Sequence, residues 1–208
     1  MMFRNALILG LLAALLGGCA SSPAPSESVE MPAAMPTVMV LATAHQQRLA
    51  ELERWRVKGR IGLIHGEEGW HAGLSWAQQG TAFEIDLDGP VGQAALRMIG
   101  DDQLITLFLP DEAPMSADTP ERLVRDKLGW ELPVSGMRWW IKGQPQPDAN
   151  SVNTLDESGR LQDIKQTDWR VRFLEYQTVD GIDLPRKMRI EHRELTIKLV
   201  LHEWTLGE

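Results

Sequence analysis

The chain has 208 residues, 43% of them hydrophobic, and a formal charge of −8. That length and apolar share support one well-filled core, with one domain plus tails as the natural prior. The negative balance excludes the basic stripe from which nucleic-acid binders draw most of their affinity, and it excludes electrostatic docking onto anionic lipid.

The N-terminus opens with Arg4 as a short positive region, followed by an apolar run from Ala6 to Leu16. About eleven residues are too few to cross a bilayer, which takes roughly 20, and suit the hydrophobic segment of a signal peptide. The only cysteine, Cys19, follows at once, so no internal disulfide can form. Leu16-Gly17-Gly18-Cys19 resembles the lipobox of bacterial lipoproteins, with glycine at a position more often Ala or Ser. In that family the thiol takes a diacylglycerol, the signal is cut before the cysteine, and the new amine takes a third chain. Ala20 stands where an Asp would signal inner-membrane retention, so the resemblance is to the outer-membrane class. Residues 1–18 are therefore expected to be a signal peptide and residues 19–42, rich in Pro, Ala and Ser, a lipidated flexible tether.

A folded region of residues 43–208 follows. Thr43 can cap a helix carrying Leu49, Leu52 and Trp55 at i, i+3 spacing. Alternation then takes over: Trp55, Val57, Ile61 and Leu63 fall on one face with Arg56, Lys58 and Arg60 on the other. Trp70, Ala72, Leu74 and Trp76 form a second apolar face, and Phe83, Ile85 and Leu87 alternate with Glu84, Asp86 and Asp88. These are period-two strands with one apolar and one wet face. After a turn at Pro90-Val91-Gly92, "QAALRMIG" and "QLITLFLP" read as two further strands about the turn at Gly100-Asp101-Asp102.

The period then changes. Thr119, Pro120 and Glu121 form a helix start, Leu123, Val124 and Leu128 its apolar stripe, and Gly129 its end. A second short helix from Pro133 to Gly143 carries Val134, Met137, Trp140 and Ile141 at i, i+3, i+6, i+7. Neither could stand alone, so each must lie on an apolar surface. Beyond the polar link 144–150, a hairpin about Glu157-Ser158-Gly159 and three more strands complete the chain, with Trp169, Val171 and Phe173, then Leu195, Ile197, Leu199 and Leu201, on common faces. Helix, about five strands, two helices and about five strands describe a strongly curved sheet whose apolar concave side the helices cover.

No catalytic set emerges. His45, His65, His71, His192 and His202 lack metal-ligand spacing, and no G-x-S-x-G, P-loop or G-x-G-x-x-G is present. Asp86 and Asp88, and the charged run Glu191 to Glu194, read as solvated surface. Eight tryptophans against one tyrosine suit a bulky core or a greasy binding surface, and Trp139 and Trp140 sit where a helical lid would close a cavity.

Several stretches, in this order and spacing, resemble the LolB family of outer-membrane lipoprotein receptors. They are the lipobox at Cys19, "WRVKGRIGL", Trp76-Ala77-Gln78, Pro90-Val91-Gly92, "LGWELPV", "WWIKGQP", "LPRKMRI" and "LTIKLVLHEW". The resemblance implies a mainly β fold with α: an unclosed half-barrel of about eleven antiparallel strands with a helical lid over an apolar cavity for acyl chains. It implies a LolA-type periplasmic carrier as partner, lipoprotein acyl chains and outer-membrane lipid as ligands, and a lipid-anchored, periplasm-facing location. No enzyme activity, cofactor, metal or nucleic acid is expected, and we expect a monomer. The cavity lining is expected to comprise Trp76, Phe83, Ile85, Leu87, Leu96 and Met98, with Met137, Trp140 and Ile141 closing it from the lid. In the family the Pro-apolar-Gly turn carries an exposed residue, usually leucine, that serves delivery into the bilayer; here Val91 takes that place. The alternative function is a lipid-binding or sensor lipoprotein on the same scaffold that transfers no protein.

Overall fold

The computed structural model describes residues 34–89, 94–129 and 132–207. Helix α1 (Ala34–Ala50) precedes six strands: β1 (Arg54–His65), β2 (Glu68–Gln79), β3 (Ala82–Asp88), β4 (Ala94–Gly100), β5 (Ile105–Phe108) and β6 (Met115–Ala117). Helices α2 (Pro120–Leu128) and α3 (Val134–Trp140) lead to β7 (Ser151–Leu155), β8 (Leu161–Gln166), β9 (Trp169–Val179), β10 (Ile182–His192) and β11 (Leu195–Leu206). All eleven strands form one sheet in the order β6-β5-β4-β3-β2-β1-β11-β10-β9-β8-β7. The chain begins mid-sheet at β1, walks outward to the β6 edge, crosses through α2 and α3 to the opposite edge, and returns until β11 pairs with β1. The edges β6 and β7 are not paired with each other, so the barrel is unclosed.

Alternation decides which face is buried. Trp55, Val57, Ile61 and Leu63 of β1 pack inward, as do Ala72, Leu74 and Trp76 of β2 and Ile197, Leu199 and Leu201 of β11. Together with α2 and α3 they form one continuous apolar cluster. Gly59 marks a bulge in β1 opposite β11, where a Cβ would lie 2.3 Å from the Val200 carbonyl oxygen; only glycine allows the strands to approach so closely.

The lid helices start and stop where the sequence dictates. The Thr119 hydroxyl accepts a hydrogen bond from the Arg122 amide at 3.3 Å, Pro120 opens α2, and Gly129 ends it at φ 79° with its amide bonded to the Arg125 carbonyl at 2.8 Å. Helix α3 has no side-chain cap of its own from Pro133. Glu121 of α2 serves instead, accepting from the Ser135 amide at 2.8 Å and its hydroxyl at 3.1 Å, so the two short helices are joined at their first turns.

Two details differ from the sequence reading. Helix α1 begins at Ala34 rather than Thr43, through residues read as tether; Pro36 sits in its first turn, where proline is tolerated. Thr43 is interior to the helix, its hydroxyl bonded back to the Met39 carbonyl at 2.9 Å. The short strand β6 was also not foreseen; at three residues it is too brief to show a period.

Strand registers sort the connections into two ends. The β1–β2 turn, the last residue of β3 with the first of β4, and the β10–β11 turn lie at the end near Trp70. The start of β1, the β2–β3 turn, the β7–β8 turn and the β9–β10 turn lie at the end near Trp55. Helix α1 is held at this second end: His45 Nε2 lies 2.8 Å from the Asp183 carbonyl oxygen, and Lys142 Nζ donates to the carbonyls of Leu49 and Leu52 at 3.2 Å each.

Candidate acyl-chain cavity

Strands β1 to β4 and the two lid helices enclose a cavity of about 320 Å³. Its walls are Ile61 and Leu63 of β1, Leu74 and Trp76 of β2, and Ile85 and Leu87 of β3. Ala95, Leu96 and Met98 of β4 continue the wall, and Val124, Leu132, Val134 and Met137 form the roof. Among the described residues no ionisable side chain lines it. Trp70, 40% exposed, and Leu109 carry the lining out to the surface, Trp70 close to the β1–β2 turn. The volume lies at the low end of the roughly 300–1,000 Å³ typical of small-ligand sites.

The cavity occupies only one half of the barrel. No residue of β7 to β11 lines it. That half is filled by its own side chains, among them Ile164, Val171, Met188, Ile190 and Ile197, all close to fully buried. Trp140 belongs to this filled half. Its indole donates to Gln166 Oε1 at 3.0 Å and sits 6.3 Å from the ring of Trp169. Gln166 is saturated in turn: its oxygen accepts from the Gln146 amide and its nitrogen donates to the carbonyls of Gln146 and Ala149, each at 2.8 Å. A buried amide so fully paired is rigid and costs little to bury.

Of the side chains singled out from sequence, Trp76, Ile85, Leu87, Leu96, Met98 and Met137 converge on this cavity. Phe83, Trp140 and Ile141 do not. Phe83 opens β3 opposite Gln78 and Gly100, about 13 Å along the strand from Leu87, and borders a separate polar groove with Asp101, Asp102 and Arg138. Trp140 points into the filled half, and Ile141, fully buried, lies past the last residue of α3. The helical stripe continues past the cavity, so its later members serve packing. Cys19, Pro90, Val91 and Gly92 lie outside the described residues.

The lining also takes in residues not expected there: Ile61, Leu63, Trp70, Leu74 and Ala95 from the strands, and Leu109, Val124, Leu132 and Val134. Val124 and Val134 carried a signal, the apolar stripes of α2 and α3. Leu109 and Leu132 each precede a proline in irregular chain, where no period exists to betray an inward side chain.

The Trp-x-Gln motif has a structural account. Trp76 donates its indole proton to Gln78 Oε1 at 3.1 Å, and Gln78 Nε2 donates to the carbonyls of Gly80 and Ala82 at 2.9 and 3.1 Å. The amide satisfies the one polar atom of a cavity-wall tryptophan and ties it to the β2–β3 turn. The outer face of β3 is a wet charged surface. Glu84 is paired with Arg97, and Asp86 lies 3.6 Å from the same guanidinium. Partial burial raises the Asp86 carboxyl above its usual range, Glu84 adds to this, and Arg97 opposes it. Among the described residues no three His, Cys, Asp or Glu side chains converge on one point.

Residues 53–204 match the sequence profile of the family described as Outer membrane lipoprotein LolB. The chain is 36% identical over 198 residues to a protein of Stutzerimonas stutzeri (strain A1501) named Outer-membrane lipoprotein LolB, covering 95% of this chain and 94% of that one. A protein of the same name from Nitrosococcus oceani is 36% identical over 194 residues, covering 93% of each. In fold, the crystal structure of a LolA superfamily protein from Nitrosomonas europaea superposes with a TM-score of 0.52 at 8% identity, over 83% of this chain and 93% of that one. The match over most of both lengths settles the assignment: the chain belongs to the LolB family.

Proposed function

We propose that the chain is an outer-membrane lipoprotein receptor, anchored through acylated Cys19 and facing the periplasm. It accepts lipoproteins from a LolA-type carrier and releases them into the membrane. The observation that carries this reading is the cavity lined by apolar side chains, whose wall strands β3 and β4 flank in sequence the segment holding Pro90-Val91-Gly92. Exposing acyl chains to water costs about 0.8 kcal/mol per methylene. A cargo with several chains must therefore pass from one shielded site directly to another. The chain recognises the acyl part, common to all such cargo, so the cavity needs shape and dryness rather than hydrogen-bond specificity.

The test is transfer. The mature, acylated protein in liposomes is given a lipoprotein held by its carrier, and the cargo is followed from carrier to receptor to bilayer. Passage of the cargo into the bilayer, dependent on the receptor, is the expected result. Binding of free lipid without passage of the protein cargo would overturn the proposal and favour a lipid-sensing lipoprotein.

A further inference from the structure

Helix α1 breaks the usual rule for a surface helix. Ala42, His45 and Leu49 face inward at the expected spacing, and the outward positions of its second half are polar, with Gln47 and Arg48 exposed. In the first half the outward positions are apolar: Met39 is 58% exposed, Val40 68% and Leu41 45%. Three consecutive large apolar side chains in solvent exceed the scattered single exposures normal for a protein surface. The sequence around them carries no Asp, Glu, Lys or Arg between Glu30 and Arg48. Ala34 stands about 15 residues after Cys19, so however the intervening chain runs, it lies at most about 50 Å from that residue.

We infer that the exposed apolar half of α1, Val38 to Leu41, is a second membrane contact that rests in the bilayer interface beside the lipid anchor. The inference rests on the reading of Cys19 as the acylated residue. An anchored chain keeps this segment at high local concentration near lipid, so a contact too weak to recruit a free protein is populated in a tethered one. The partner is the apolar side of the interface and not its charge, because the segment is uncharged and the whole chain is acidic. The contact sets an orientation. Helix α1 sits at the end of the barrel carrying the β7–β8 and β9–β10 turns, whereas the cavity opens at the other end beside Trp70. With α1 on the membrane the cavity mouth is turned away from the bilayer, toward an arriving carrier. Delivery then requires α1 to let go and the mouth to turn over.

The experiment uses the mature acylated protein in vesicles, with an environment-sensitive fluorophore on Val40→Cys and, separately, on Glu67→Cys in the β1–β2 turn. Vesicles contain lipids brominated near the interface. The expected result is a blue shift and quenching at position 40, no quenching at position 67, and the same behaviour on zwitterionic and anionic vesicles. Adding Met39→Glu should abolish the quenching while leaving the melting temperature unchanged, since that side chain projects into solvent. An unquenched label at position 40 on protein that floats with the vesicles overturns the inference. A blue shift without vesicles accompanied by a doubled mass assigns the face to a second copy, and a shift that appears only with carrier assigns it to the carrier; either overturns it. Failure of the wild type to float would instead refute the anchor itself, and so the function proposed above.

Discussion

Ile85→Glu tests the cavity most directly. Ile85 is 7% exposed in the middle of β3, opposite Trp76 of β2 and Met98 of β4, both of which line the cavity. A carboxyl placed there meets no partner, but water can reach it from the mouth at Trp70. The folded protein should therefore lose only about 1–3 kcal/mol, the cost of an imperfectly solvated polar group. For a domain of this size that lowers Tm by about 2–12 °C. An acyl chain that fills the cavity expels this water and leaves the carboxyl unpaired, at a further cost of about 1–3 kcal/mol, so affinity should fall about 5- to 150-fold. Ile190→Glu is the control: the same side chain, fully buried in the filled half where no water enters. There the penalty falls wholly on folding, and the variant should not yield a stable domain. Displacement of a fluorescent fatty acid, read beside a melting curve, separates the effects. If Ile85→Glu bound the probe as tightly as wild type, or if the two variants behaved alike, the division into a hollow and a filled half would be wrong.

Three other outcomes follow from the same reasoning. Val91→Glu should leave folding and acceptance from the carrier intact but block release into liposomes, whereas Val91→Leu should preserve or improve it; normal release by Val91→Glu would remove the residue from the delivery step. Cys19→Ala should prevent acylation and release the protein from the membrane fraction, while its folded domain still accepts cargo from the carrier in solution; a folded but inert soluble form would contradict this. Burial, reinforced by the neighbouring Arg138, pushes the Lys142 ammonium down to about 8. The folded state thus binds fewer protons than the unfolded one above that pH, and stability should rise between pH 8 and 10 by as much as about 2 kcal/mol. Above pH 10 the rise should reverse, because burial holds the Tyr176 phenol protonated well past its usual range. Lys142→Met should flatten the rise, and a flat profile in the wild type would refute the assignment.

The barrel was legible because its signal is local. Each strand needs one wet and one dry face, and alternation from Trp55 to Leu63 or from Phe83 to Leu87 reports that directly. The cavity was only half legible. Alternation shows that a side chain points inward, not whether it meets another side chain or empty space. Ile85 and Ile190 are the same residue on the inward face of one sheet, and only what packs opposite each, brought there from distant parts of the chain, makes one a cavity wall and the other core. The early start of α1 was hidden for a different reason: exposed Met39, Val40 and Leu41 remove the polar face by which a surface helix is recognised.

The hollow half calls for a cause. Unfilled apolar volume costs about 24 cal/mol per Å³ in protein cores, which for 320 Å³ comes to roughly 8 kcal/mol, less whatever water at the mouth recovers. That is comparable with the whole stability of a typical domain, about 5–15 kcal/mol, and ordinary packing would remove it. The filled half, with its saturated Gln166 and its tilted Trp140–Trp169 contact, gives the sheet a well-packed side from which the hollow half extends. On the function proposed above, the space is what an acyl chain would fill. Direction then needs no nucleotide. A hundredfold preference over the carrier amounts to about 2.7 kcal/mol, or the shielding of about three or four more methylenes at ~0.8 kcal/mol each. On the proposed function, a cavity slightly drier or deeper than the carrier's would supply that difference, and the bilayer, which shields every methylene, would supply the next.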